Sequence, residues 1–129
     1  MFADNFTKLA KNNTNFRKVL YTGPNAQVVA MSLPSGTDIG EETHPDTDQI
    51  FILVDGDGEA KVGDEVRPVV EKDLVFVPAG KVHNITNTGH EDMKLLTFYA
   101  PPEHPDGVVQ ATKESKEEIA KEQPVWAAG

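Results

Sequence analysis

Between residues 17 and 99 the chain is cut into short runs rich in β-branched and aromatic residues. Turn-forming clusters interrupt them at roughly 8–12-residue intervals, the spacing of a sandwich or barrel. The runs are Arg17–Tyr21, Gln27–Leu33, Glu42–His44, Ile50–Val54, Glu59–Val62, Glu65–Val69, Leu74–Val77, His83–Asn87 and Lys94–Tyr99. Turn formers such as Thr22-Gly23-Pro24-Asn25, Asp55-Gly56-Asp57-Gly58 and Pro78-Ala79-Gly80 lie between them. Gly63-Asp64 reads as a two-residue hairpin loop. No 3.6-residue period interrupts the stretch, which argues against a βαβ fold. Ile50-Phe51-Ile52-Leu53-Val54 is apolar at both parities, so a central strand covered on both faces is expected there.

Outside these runs the signals change. Phe2, Phe6, Leu9 and Ala10 stand near helical spacing behind Asp4, which predicts a short N-terminal helix within residues 2–11. Residues 100–110 are proline-rich and read as irregular. Residues 112–122 are mostly charged, with Ser115 and Glu118 spaced as a capping box, and read as a surface helix or loose tail. Trp126 is expected to pack on the barrel or across a dimer contact. The expectation is a single domain over 1–129, with a barrel core at about 17–100 and a C-terminal extension over 101–129.

Composition excludes several classes. With 12 basic against 21 acidic side chains the chain carries a net charge of −9, the wrong sign for displacing counterions from nucleic acid. No apolar run approaches the roughly 20 residues needed to cross a bilayer, and no secretory signal is visible at the start. There is no cysteine, so any metal must be held by His, carboxylate or amide, and a cytoplasmic location is expected.

The chemistry concentrates in two segments. Glu42 and His44 are two apart on an extended run and share a face, with Pro45 keeping His44 extended. Asp46, Thr47 and Asp48 form a turn, after which Gln49 opens the next strand on the face of Phe51 and Leu53. Pro78-Ala79-Gly80 launches the strand that begins at His83. Glu42, His44, Gln49 and His83 can meet inside a barrel, a donor set suited to a borderline divalent ion such as Zn, Ni, Fe, Mn or Co. A rival set takes His44, Asp46 and His83 as a facial triad. His90 lies in a turn and reads as a surface residue; His104 matches no ligand spacing but can line a mouth. Asn87 reads as a turn organiser, Tyr99 as a possible hydroxyl donor to a ligand, and Phe51, Leu53, Phe76 and Phe98 as core.

These spacings resemble the two cupin motifs, G-x5-H-x-H-x(3,4)-E-x6-G and G-x5-P-x-G-x2-H-x3-N. Gly36, His44 and Gly56 fall in register with the first, and Pro78, Gly80, His83 and Asn87 with the second. Glu42 stands where the first motif has His, Gln49 where it has Glu, and Lys72 where the second motif opens with Gly. The resemblance covers roughly residues 30–100. It implies an all-β jelly-roll barrel, often dimeric, with a mononuclear metal inside. Carried over by position, the implied ligands are Glu42, His44, Gln49 and His83. The swap of Glu and Gln keeps one negative charge in the set and moves it to the neighbouring strand. The donor mix is also similar to that of phosphomannose isomerases.

The resemblance implies a small-molecule enzyme of the oxygenase, isomerase, epimerase or lyase class. The alternative is a non-catalytic binding or storage module whose metal is absent or structural. No Lys or Arg lies between Lys18 and Lys61, whereas Asp38, Glu41, Glu42, Asp46, Asp48, Asp55, Asp57 and Glu59 do. An acidic rim of this kind disfavours polyanions, so a neutral or weakly anionic ligand is expected. Lys72, Lys81 and Lys94 are the candidates for any counter-charge.

Overall fold

The computed structural model describes residues 1–119; Trp126 lies outside the described residues. One helix, α1 (Phe6–Asn12), precedes ten strands: β1 (Arg17–Thr22), β2 (Gln27–Leu33), β3 (Asp48–Asp55), β4 (Asp57–Val62), β5 (Glu65–Val70), β6 (Leu74–Val77), β7 (His83–Asn87), β8 (Met93–Ala100), β9 (Val108–Gln110) and β10 (Glu118–Ile119). A seven-stranded sheet, β10-β9-β1-β2-β8-β3-β6, faces a three-stranded sheet, β5-β4-β7. All pairings are antiparallel. The architecture is a jelly roll whose two sheets face each other without closing into a continuous barrel.

Strand parity divides the apolar residues between two cores. Val29, Met31, Phe51, Leu53, Leu95 and Tyr99 face inward between the sheets, joined by Ala60, Val69 and Ile85 from the smaller one. Leu20, Ala30, Val54 and Leu96 face outward from the large sheet and pack with Ala10 of α1. The helix therefore covers the second face of β3, which explains why that strand is apolar at both parities. Asn5, not Asp4, caps α1: its side chain accepts from Lys8 N at 2.9 Å.

Four expectations are corrected. The run Glu42–His44 is not a strand; Glu42 makes a single antiparallel bridge with His83. The proline-rich stretch contains β9, which pairs with β1 through Arg17↔Gln110 and Lys18↔Val109. Residues 112–119 are not helical and form no capping box: Ser115 and Thr112 bond each other in a tight turn, and Glu118 enters β10. Phe76 is half exposed rather than core, because Leu74 and Phe76 share the outward parity of edge strand β6.

The β4–β5 connection is the expected two-residue loop, Val62↔Glu65 closing it and Gly63 adopting φ +58° as a type II′ turn requires. The β5–β6 turn is more informative. Asp73 N donates to Val70 O at 3.0 Å across a type II turn, and Lys72 at its third position has φ +79°. This is the position where the cupin pattern carries Gly. Lys72→Gly is expected to stabilise the chain by about 0.5–1 kcal/mol, since relief of left-handed strain exceeds the added entropy of the unfolded chain. Urea denaturation of the two proteins checks it.

No helix among the described residues is long and apolar enough to cross a membrane.

Candidate metal centre

The Glu42–His83 bridge is a reciprocal hydrogen-bonded pair, each N–H donating to the other carbonyl at 3.0 Å. Residues opposite each other in such a pair project to the same face. His44, two residues after Glu42, returns to that face. Its carbonyl accepts from Gly80 N at 2.8 Å, and Asp48 Oδ1 accepts from Ala79 N at 2.9 Å, which ties the loop after His44 to the turn before His83. Glu42, His44 and His83 thereby offer ligand atoms that all lie within 4.8 Å of one another. Both histidines are buried, and Glu42 is partly so. Asp46 is exposed and outside this cluster, so the rival triad is not assembled.

Each imidazole is oriented through Nδ1. His83 Nδ1 lies 3.0 Å from the Lys81 carbonyl, which can only accept, so this nitrogen carries a proton and Nε2 is the end turned to ligation. His44 Nδ1 lies 3.3 Å from Glu103 Oε1, a carboxylate that holds this side of the ring. His44 Nε2 then faces Glu42 Oε2 at 3.0 Å, without a hydrogen bond. Two lone pairs at that separation repel, and a proton or a metal ion shared by the two atoms relieves the contact. Gln49 is fully buried in register with Tyr99, its Nε2 donating to Thr97 Oγ1 at 2.9 Å while Oε1 is buried without a partner. Fixed imidazole lone pairs, a carboxylate and an unpartnered amide oxygen fit a divalent metal of intermediate softness.

Further groups gather around the cluster, of which Arg17 and Gln27 were not anticipated from the sequence. Arg17 is buried on the inner face of β1, with Nη2 3.6 Å from Glu42 Oε1 and Nη1 donating to Gln110 Oε1 at 2.9 Å. The stretch free of basic residues thus does not leave the site without a cation. Lys94 is no counter-charge here: its Nζ donates to Asn13 O and Ser32 Oγ. The Tyr99 ring stands edge-on to both His44, at 5.7 Å, and His104, at 5.1 Å. Burial pushes the Tyr99 hydroxyl well up, so it remains a protonated donor. Burial also pushes His104 down to about 4, helped by the charge of Arg17, so His104 is neutral near pH 7. Gln27 positions the segment carrying these groups: Nε2 donates to His104 O at 2.7 Å and Oε1 accepts from His104 N at 3.0 Å. Asn87 organises its turn, donating to Leu33 O and Glu91 O and accepting from Gly89 N. His90 is exposed.

A jelly roll with two oriented imidazoles and a carboxylate between its sheets defines a β protein with a candidate site for a single divalent ion. The match to the cupin domain family covers residues 29–99, and the chain belongs to that family. It is 42% identical over 118 residues to the uncharacterized protein YrkC of Bacillus subtilis, covering 87% of this chain and 63% of that protein. The chain therefore spans less than two thirds of that relative's length. The crystal structure of BH2720 from Bacillus halodurans is similar with a TM-score of 0.86 and 39% identity, covering 87% of this chain and 89% of that one. A shorter similarity, 30% identity over 66 residues, links 51% of this chain to 54% of an oxalate-binding protein of Thermotoga maritima.

Proposed function

We propose that the chain is a metal-dependent cupin enzyme acting on a small molecule, with one divalent ion held by Glu42, His44, Gln49 and His83. The observation that carries this reading is the facing pair of His44 Nε2 and Glu42 Oε2, 3.0 Å apart with no hydrogen bond between them. When bound, the ion supplies a Lewis acid or a redox centre. Thr97 holds the Gln49 amide so that its oxygen is the free end, and Glu103 and Lys81 O hold the two imidazoles. Glu42 supplies the single negative charge of the set. The surrounding Arg17, Tyr99 and His104 bind and orient the small molecule. The whole chain is taken as one cupin domain, working in the cytoplasm as a homodimer. Half-exposed apolar side chains, among them Val66, Val70, Leu74 and Phe76, favour association with a second copy.

The test is metal content by plasma mass spectrometry after reconstitution with Fe, Mn, Ni and Zn in turn. Near-stoichiometric metal is expected in the wild type. Gln49→Leu is expected to weaken affinity on the order of 10-fold, because one neutral oxygen of the set is lost. A wild type that takes up none of the four ions overturns the reading. The similarity to an oxalate-binding protein favours a second reading, a binding module without turnover. Loss of turnover on metal removal distinguishes the enzyme; ligand-dependent stabilisation without any turnover supports the module.

A further inference from the structure

Among the described residues, the buried side-chain atoms that lack a hydrogen-bond partner are Arg17 Nε, His44 Nε2, Gln49 Oε1 and His104 Nε2. All four belong to the same end of the jelly roll. Arg17 reaches Glu42, while Tyr99 touches His44 and His104 and stands in register with Gln49. The proposed metal would take the lone pairs of His44 and Gln49. It leaves Arg17 and His104 unanswered.

Arg17 is the more demanding of the two. Its guanidinium always carries charge and has five N–H donors, yet among the described residues it makes one hydrogen bond, to the neutral Gln110 amide. The nearest carboxylates, Glu42 at 3.6 Å and Glu117 at 3.9 Å, stand beyond hydrogen-bond distance. Glu117 is also half exposed and therefore displaceable. A metal on Glu42 would draw that carboxylate's charge away from Arg17. A buried, incompletely paired guanidinium calls for an anion with two oxygens in one plane.

We propose that Arg17 and His104 form an anion subsite beside the metal cluster, taking a carboxylate of a small carboxylic acid. Arg17 grips the two oxygens through its fork. His104 meets the ligand through Nε2, and its Nδ1, 3.9 Å from Glu117 Oε1, faces outward. Neutrality of His104 near pH 7 suits it to a polar contact rather than a second charge, consistent with a singly charged end group. The subsite rests on the metal reading above, since it is the ion that would hold the ligand's other end.

The experiment is calorimetric titration of the metal-loaded full chain with oxalate, and separately with inorganic phosphate, after metal content has been measured on each sample. Oxalate is expected to bind the wild type, with phosphate weaker. Arg17→Gln is expected to lose roughly 10- to 100-fold in oxalate affinity with its metal content kept. Unchanged oxalate affinity in metal-replete Arg17→Gln overturns the subsite, as does a metal-replete wild type that binds no oxalate or prefers phosphate. Should Arg17→Gln not fold, Arg17→Lys decides, because it keeps the charge and loses the fork: weakening supports the subsite and equal affinity overturns it. A wild type without metal fails the metal reading instead. The subsite is then decided on metal-free protein by the same Arg17 comparison.

Discussion

Purified His83→Ala protein is expected to keep the jelly roll and lose its metal. His83 is the one member of the cluster contributed by the smaller sheet, opposite Glu42 and 5.4 Å ring to ring from His44. Its removal takes away a nitrogen donor already oriented by Lys81 O. The affinity loss should exceed the roughly 10- to 100-fold that follows loss of an outer-shell partner alone. Stability gives a second readout. At a free metal concentration near 100 times Kd, binding stabilises the wild type by about 2.7 kcal/mol. In a chain of this size that raises Tm by roughly 10 °C. The increment should vanish in His83→Ala, whose metal-free form should melt only slightly below the metal-free wild type. Thermal melts with and without chelator measure both quantities. An equal metal-dependent rise in the two proteins would remove His83 from the ligand set.

Gly58→Ala is expected to cost about 3 kcal/mol, at the upper end of overpacking effects. A methyl group at Gly58 would run into the Thr86 carbonyl oxygen and Met93 Cε. The methionine end can swing away. The carbonyl cannot, because Thr86 belongs to β7, paired residue by residue with β4 through Glu59↔Thr86 and Gly58↔Asn87. The strain is thus passed to the strand that begins with His83, so the variant should also bind metal more weakly. Gly63 makes a useful contrast: a methyl group there meets nothing within 4 Å, and only its φ of +58° opposes the change. Gly63→Ala should therefore cost about 1 kcal/mol. Urea denaturation that finds the two variants equally stable would show that the β4–β7 contact yields.

Most of the strands are legible in the sequence because turn chemistry marks their ends and β-branched residues fill them. Part of the candidate cluster is legible too: two-residue spacing on extended backbone puts Glu42 and His44 on one face even though they form no strand. Other features leave no comparable trace. Strand β9 is three residues long and lies shortly after Pro101, Pro102 and Pro105, held by pairing with β1 rather than by its own preference. In β6 every residue is apolar, so alternation cannot tell that Val77 faces the core while Leu74 and Phe76 face outward. Arg17 opens a strand whose apolar residues hide its direction. Only the pairing with β2 and β9, and with it the inward parity shared with Val19, shows that the guanidinium points into the site. Lys72 looks like a break in a motif. In the structure it is an ordinary side chain carrying a backbone conformation that the turn demands.

Gln27 clasps the backbone of Glu103 and His104, and all three residues, like Arg17, lie outside the family-matched span of residues 29–99. The proposed metal donors thus lie inside that span, while Arg17, Glu103 and His104 around them come from segments on either side of it. Substitutions in those flanking segments would change what surrounds the proposed donors without replacing any of them.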